Sequence, residues 1–285
     1  MSVLTFRGGT HPYDGKALSR DAAIEELKPG EELVFPLSQH IGAPAVPIVE
    51  IGERVLAGQK IAAKSGFISA NIHSSVSGTV IKIEPRTIAT GGKVNSIVIR
   101  NDNLYEQAPP INDKNPDDMT DDEIRTVIEE AGIVGMGGAG FPTNVKLTPK
   151  NPEEIDTIIV NGAECEPYLT SDYRRMLEYT DELVKGLKIV LRLFPGARGV
   201  FGVEDNKPEA IRTLKNAISG ENNIEVAVLK TKYPQGGERC MIKAVTRREI
   251  NSKMLPADAG CIVHNIDTIA SIYQAVYEGL SLIHI

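Results

Sequence analysis

The sequence predicts an α/β chain in two parts: a small β module, then a domain whose mostly parallel sheet is covered by helices. Three observations point there. Residues 31–100 hold short β-rich runs broken every few residues by glycine. From residue 155 onward, apolar strand runs alternate with helical patterns. Between them, NDNLYEQAPPINDKNPDDM at 101–119 is rich in Pro, Asn and Asp and reads as a linker.

Within the module, Val46 to Val55 is apolar with alternation, and Ala57-Gly58 turns into Gln59-Lys60-Ile61. ISANIHSSVSGTVIKIE (68–84) follows, with a turn expected at Ser77-Gly78. After the linker, Thr120 and Glu123 fit a capping box, and Ile124, Val127, Ile128 and Ala131 repeat at helical spacing up to Gly132. IDTIIV (155–160) reads as a buried strand, 171–194 as a helix broken near Thr180, and GVFGVED (199–205) as a strand. Pro208 opens a further helix, IEVAVLK (224–230) and CIVHN (261–265) are strands, and 267–279 is helical.

The 285 residues carry a net charge of −7, which argues against a broad nucleic-acid surface. Cys165, Cys240 and Cys261 fit no zinc or iron–sulfur spacing, and an odd count argues against a disulfide framework. No apolar run reaches the roughly 18 to 20 residues of a membrane span, and the N-terminus lacks a signal-peptide pattern.

Four loops carry the candidate chemistry. GIVGMGGAGFPTNVK (132–146) contains G-x-G-x-x-G at Gly135, Gly137 and Gly140. A dinucleotide loop follows a strand and opens a helix, whereas a helix precedes this one and Pro142 follows. The match therefore reads as accidental. Bare glycine backbone, with Gly138, can still cradle an anion, and Lys146 can add a point charge. A mobile turn is the alternative.

NGAECEPYLTSDYRR (161–175) begins where a strand ends, the edge at which open α/β sheets bind ligands. Asn161, Glu164 and Glu166 would project there, with Cys165 between the acids; solvated acids on a surface loop are the alternative reading. YPQGGER (233–239) puts Gly236 and Gly237 before a helix starting at Glu238, and HNIDT (264–268) ends the last strand. No Ser-His-Asp order, metal cluster or H-E-x-x-H is visible. Loops of this kind suit a large planar cofactor better than hydrolysis.

The module's V-x-x-G-Q-x-I and S-x-V-S-G-T-V resemble the barrel-sandwich hybrid of biotinyl and lipoyl domains. The carrier motifs M-K-M and D-K-A are absent around Lys64, so the module reads as a non-carrier. GMGGAGFPTNVK, NGAECEPY, YPQGGER and HNIDT occur in the order seen in the flavin-bearing subunit of respiratory complex I and its relatives. FRGGTHPYDGK, PLSQHIGAPAVPIVEIGERVLAGQKI and ISANIHSSVSGTV resemble the C subunit of the Rnf-type electron transport complex.

That resemblance implies an N-terminal barrel-sandwich module (31–100, after an extension 1–30) and a Rossmann-like FMN-binding domain (120–279). It implies non-covalent FMN, with NAD(H) as substrate. Gly135, Gly137, Gly138, Gly140 and Lys146 would hold the FMN phosphate and ribityl chain. Asn161, Glu164 and Glu166 would line the flavin and nicotinamide side. Phe141 would offer an aromatic face, Gly236, Gly237 and Glu238 would close the pocket, and Asn265 would reach the flavin or its phosphate. Hydride exchange would be the flavin's chemistry, with no catalytic side chain. The partners implied are the other subunits of a membrane electron transport complex, with this chain peripheral on the cytoplasmic face. A soluble cobalamin or selenoprotein reductase subunit, or an assembly scaffold with a decayed flavin site, are the alternatives.

Two departures reduce the acid count: Ala163 stands where complex I has an acid, and Gly236-Gly237-Glu238 replaces G-E-E. The family continues into motifs for two 4Fe–4S clusters that these 285 residues lack, so the chain reads as C-terminally truncated. The closing LSLIHI (280–285) matches the conceptual translation of a transposase end used in sequencing libraries and reads as a non-native tail.

Overall fold

The computed structural model describes residues 3–282; the last three positions of the tail, 283–285, lie outside them. Tertiary contacts divide the chain into two compact units. One comprises residues 26–146 and 274–285, the other 1–25 and 147–273.

The first unit holds seven strands: β1 Glu32–Pro36, β2 Val46–Pro47, β3 Arg54–Val55, β4 Lys60–Ala63, β5 Ile72–His73, β6 Gly78–Thr87 and β7 Lys93–Asn101. They form two antiparallel sheets, ordered β1-β7-β6-β3 and β2-β4-β5. Phe35, Val55, Ile61, Val76, Val80, Ile97 and Ile99 meet in one apolar cluster. The expected turn at Ser77-Gly78 is instead the start of β6. Glycine is required there because a Cβ would lie 2.1 Å from the Arg100 carbonyl oxygen.

Helix α1, Asp121–Glu130, follows with the expected capping box: Thr120 accepts from the Glu123 amide, and the Glu123 carboxylate accepts from Thr120 N. Ile124, Val127 and Ile128 bury its apolar face. The glycine-rich stretch is then a tongue pinched at its neck. Val134 bridges Pro142, Gly135 N donates to Phe141 O at 2.9 Å, and Thr143 N donates to Ile133 O at 2.9 Å. A four-residue helix, α2 Thr143–Lys146, closes it.

The second unit carries a four-stranded parallel sheet of β8 Thr157–Gly162, β9 Arg198–Glu204, β10 Ile224–Leu229 and β11 Cys261–Asn265, in the order β10-β9-β8-β11. Helices α3 Ser171–Glu178 and α4 Thr180–Arg192 link β8 to β9, with the expected break at Tyr179. Helix α5 Pro208–Ala217 leads to β10, α6 Glu238–Thr246 lies between β10 and β11, and α7 Ile266–Glu278 follows β11. From β8 the chain steps two strands one way and then returns to the other side. The sheet therefore reverses between β8 and β11, a topological switch point. Among the described residues no helix is long and apolar enough to cross a membrane.

Candidate functional site

At the switch point Asn161 and Asn265 are register partners near the carboxyl ends of β8 and β11. Both amides are engaged. Asn161 Nδ2 donates to Gly236 O at 2.8 Å, and its Oδ1 accepts from Ala163 N at 3.1 Å. Asn265 Nδ2 donates to Asp172 Oδ2 at 2.8 Å, and its Oδ1 accepts from Asp267 N at 2.8 Å. Each asparagine thus shapes a strand-end loop.

The Asn161 bond draws the 233–239 turn across the end of the sheet. Cys165 helps: its buried sulfur accepts from Gly236 N at 3.2 Å. Burial pushes that thiol up to about 11, so it stays protonated and packs rather than reacts. A Cβ on Gly236 would sit 3.3 Å from Cys165 Sγ, so bare backbone is what lets the turn lie this close.

Glu164 turns inward, where its strand-end position predicts that it projects with Glu166. Its Oε1 accepts from Asp172 N at 2.9 Å, capping the N-terminus of α3 from outside the helix. Burial pushes its carboxyl up to about 7, while Lys207 and Lys16 pull the other way. Glu166 is exposed.

Beneath the loop lies a set of buried charges with no local sign in the sequence. Lys207 Nζ donates to Ala163 O at 2.7 Å and to Glu204 Oε2 at 3.4 Å. Burial lowers the Lys207 pKa and raises that of Glu204, the cost each bears for leaving water. Glu204 Oε1 also accepts from Lys232 N at 3.1 Å. Lys16 Nζ donates to Glu166 O and Leu169 O. The acid missing at Ala163 now has a structural context: its side chain is fully buried, so a carboxylate there would need its own cation.

The structure brings together Asn161, Glu164, Gly236 and Asn265 through these bonds, with Gly237 and Glu238 opening α6. Gly237 is the N-cap of α6, so no N-cap side chain bonds the first amides of the helix. The Gln235 amide beside it is fully buried, with no hydrogen bond to its nitrogen or oxygen. Gly135, Gly137, Gly138, Gly140 and Phe141 belong to the tongue of the other unit, with Lys146 ending α2. A Cβ on Gly138 would meet nothing within 4 Å, and Gly140 has φ +65° with His40 behind it.

The Nuo51 FMN-binding domain family matches residues 128–274. The chain belongs to that family. Ahead of it, the RnfC barrel sandwich hybrid domain matches residues 4–104. The chain is similar to the C subunit of the Na(+)-translocating ferredoxin:NAD(+) oxidoreductase complex of Acetobacterium woodii, 44% identical over 98% of this chain and 63% of that protein. It is likewise 44% identical to the C subunit of the proton-translocating ferredoxin:NAD(+) oxidoreductase complex of Clostridium ljungdahlii, over 98% of this chain and 61% of that protein. The chain thus spans less than two thirds of the length of these relatives. A crystal structure of an NAD+-reducing nickel–iron hydrogenase in the air-oxidised state aligns with a TM-score of 0.49 at 23% identity, over 55% of this chain and 30% of that one. The resemblance to the Rnf-type C subunit and the fold class of barrel-sandwich module plus FMN-binding α/β domain are borne out by the family and relative matches.

Proposed function

We propose that this chain is the FMN-bearing part of a ferredoxin:NAD+ oxidoreductase, exchanging hydride between NAD(H) and flavin. The observation that carries the reading is the register pair Asn161–Asn265 at the switch point, over which the uncapped start of α6 is drawn. Bound FMN would supply hydride acceptance and release at its ring.

The chain's own residues would bind and orient. Asn161 and Asn265 would fix the two loops that flank the ring, and Gly236, Gly237 and Glu238 would close over it. The first amides of α6 would stabilise negative charge developing on the ring. Glu166 would meet the nicotinamide side, while Glu164 would act from below by holding the loop on α3. The tongue glycines Gly135, Gly137, Gly138 and Gly140, with Lys146, would hold phosphate and ribityl groups, and Phe141 would give an aromatic face. No side chain need move a proton. On this reading the two 4Fe–4S clusters belong to the further length of the relatives, and membrane attachment comes through partner subunits.

The test is reconstitution of the purified chain with FMN. We expect retained absorbance at about 450 nm that bleaches on anaerobic addition of NADH. A chain that retains no flavin at saturating FMN would instead be a scaffold with a decayed site.

A further inference from the structure

The flavin-site reading gives no role to the first twenty residues, nor to the lysine buried among them. We propose that residues 4–20 form a strap that latches the 164–170 loop in its working shape, with Lys16 as the positioning residue. What the loop serves rests on the flavin reading above; the latch itself does not.

The strap enters along β10. Leu4 N donates to Val228 O at 2.8 Å, and Lys230 N donates to Leu4 O at 2.9 Å. Thr10 and Tyr233 exchange both backbone bonds at 2.8 Å. Lys232 ties the segment between them, donating to Phe6 O at 2.5 Å and Gly8 O at 2.8 Å with its ammonium over the Phe6 ring.

The strap then crosses to the loop. Tyr168 N donates to Asp14 O at 2.7 Å, and the Ser19 and Thr170 hydroxyls lie 2.8 Å apart. Gly15 has φ +60°, and a Cβ on it would stand 2.3 Å from the Tyr168 ring, so the strap lies flush against the loop. Lys16 is 7% exposed. Its ammonium reaches Glu166 O at 3.0 Å and Leu169 O at 2.5 Å, and stands 4.0 Å from Glu164 Oε2.

The loop has reason to need a latch. Glu164 and Tyr168 both adopt positive φ, 50° and 68°, which side chains other than glycine adopt at a cost. Such conformations persist only where their surroundings over-determine them. Lys16 takes carbonyls on either side of Tyr168, and Asp14 takes the Tyr168 amide. A buried ammonium is tolerated only when its donors are met, and these are met by the loop itself. Removing it leaves loop carbonyls unpaired and Glu164 without its neighbour.

The experiment compares the wild-type chain, K16M and the surface control K230M, whose lysine pairs with Asp205. Hydrogen exchange would be followed over 164–170 and over the β8 and β9 core. FMN would be titrated by its fluorescence, and the visible circular dichroism of bound flavin recorded at saturation. In K16M we expect protection over 164–170 to fall at least ~10-fold while the strand core holds, with FMN bound ~10-fold or more weakly. We also expect a changed visible band in the bound fraction, which lower global stability alone would not produce. K230M should match wild type in all three.

Unchanged exchange in K16M overturns the latch. Lost protection with wild-type flavin affinity and band overturns the positioning role. A wild type that binds no FMN refutes the flavin reading, and exchange still decides the latch. If K16M does not fold, S19A carries the exchange measurement: a loss of about 3-fold confined to 169–172 supports the latch, and no loss overturns it.

Discussion

The two units bury different things. In the barrel-sandwich unit the buried polar residues are Ser, Asn, Thr and His, such as Ser74, Ser77, Asn71 and His73, around an aliphatic core. In the α/β unit five charged side chains are buried among the described residues: Lys16, Glu164, Glu204, Lys207 and Lys232. All five gather at or beneath the carboxyl ends of the sheet. A fold that needed only stability would gain little from them, because hydrophobic side chains of similar volume serve as well or better. Buried charge therefore separates a unit that packs from a unit that holds the carboxyl ends of its strands in shape.

The sharpest way to break this comparison is K207M. It leaves the Glu204 carboxylate without its ammonium and Ala163 O without its donor. We expect a loss of about 3–5 kcal/mol in urea denaturation of the α/β unit; a loss below about 1 kcal/mol would show that the buried charges carry no weight.

Next comes pH. The Glu164 carboxyl is raised from 4.5 to about 7, chiefly by burial. Between those values the folded chain holds a proton that the unfolded chain has released, so stability falls as pH rises through that window and the penalty is complete above about pH 7. Relative to E164Q, wild type should lose about 3 kcal/mol between pH 4.5 and 8. Parallel stability curves for the two proteins would contradict the inward placement of Glu164.

The smallest effect sharpens the contrast from the other side. Lys60 and Glu130 form an ion pair in the barrel-sandwich unit, with side chains 32% and 45% exposed. K60M should cost less than about 1 kcal/mol. A cost comparable to that of K207M would erase the distinction between the units.

The architecture is legible in the sequence because its signals are local. The Thr120–Glu123 capping box, the strand runs at 155–160 and 224–230, Pro208 at a helix start and the break beside Thr180 each depend on neighbours a few residues away. The switch point needs strand order as well as strand–helix alternation, and only the folded sheet supplies that order. Gly78 misleads because its constraint is the Arg100 carbonyl on the next strand, and glycine does not announce whether it serves a turn or a close approach. Glu164 misleads because its partners, Asp172 N and Lys16, are set by tertiary folding. Lys16 is silent altogether: the carbonyls it holds are 150 and 153 residues away. No spacing rule reaches that far.

The strap also has a schedule. Lys232 meets Phe6 across 226 residues. At about 5–20 residues per second of synthesis, the first residues wait roughly 10 to 45 seconds before their partners leave the ribosome. Until then β10 does not exist to receive Leu4, and the first residues have nothing to lie along. Residues 4–10 thus find their place in this unit only after β10 has been made.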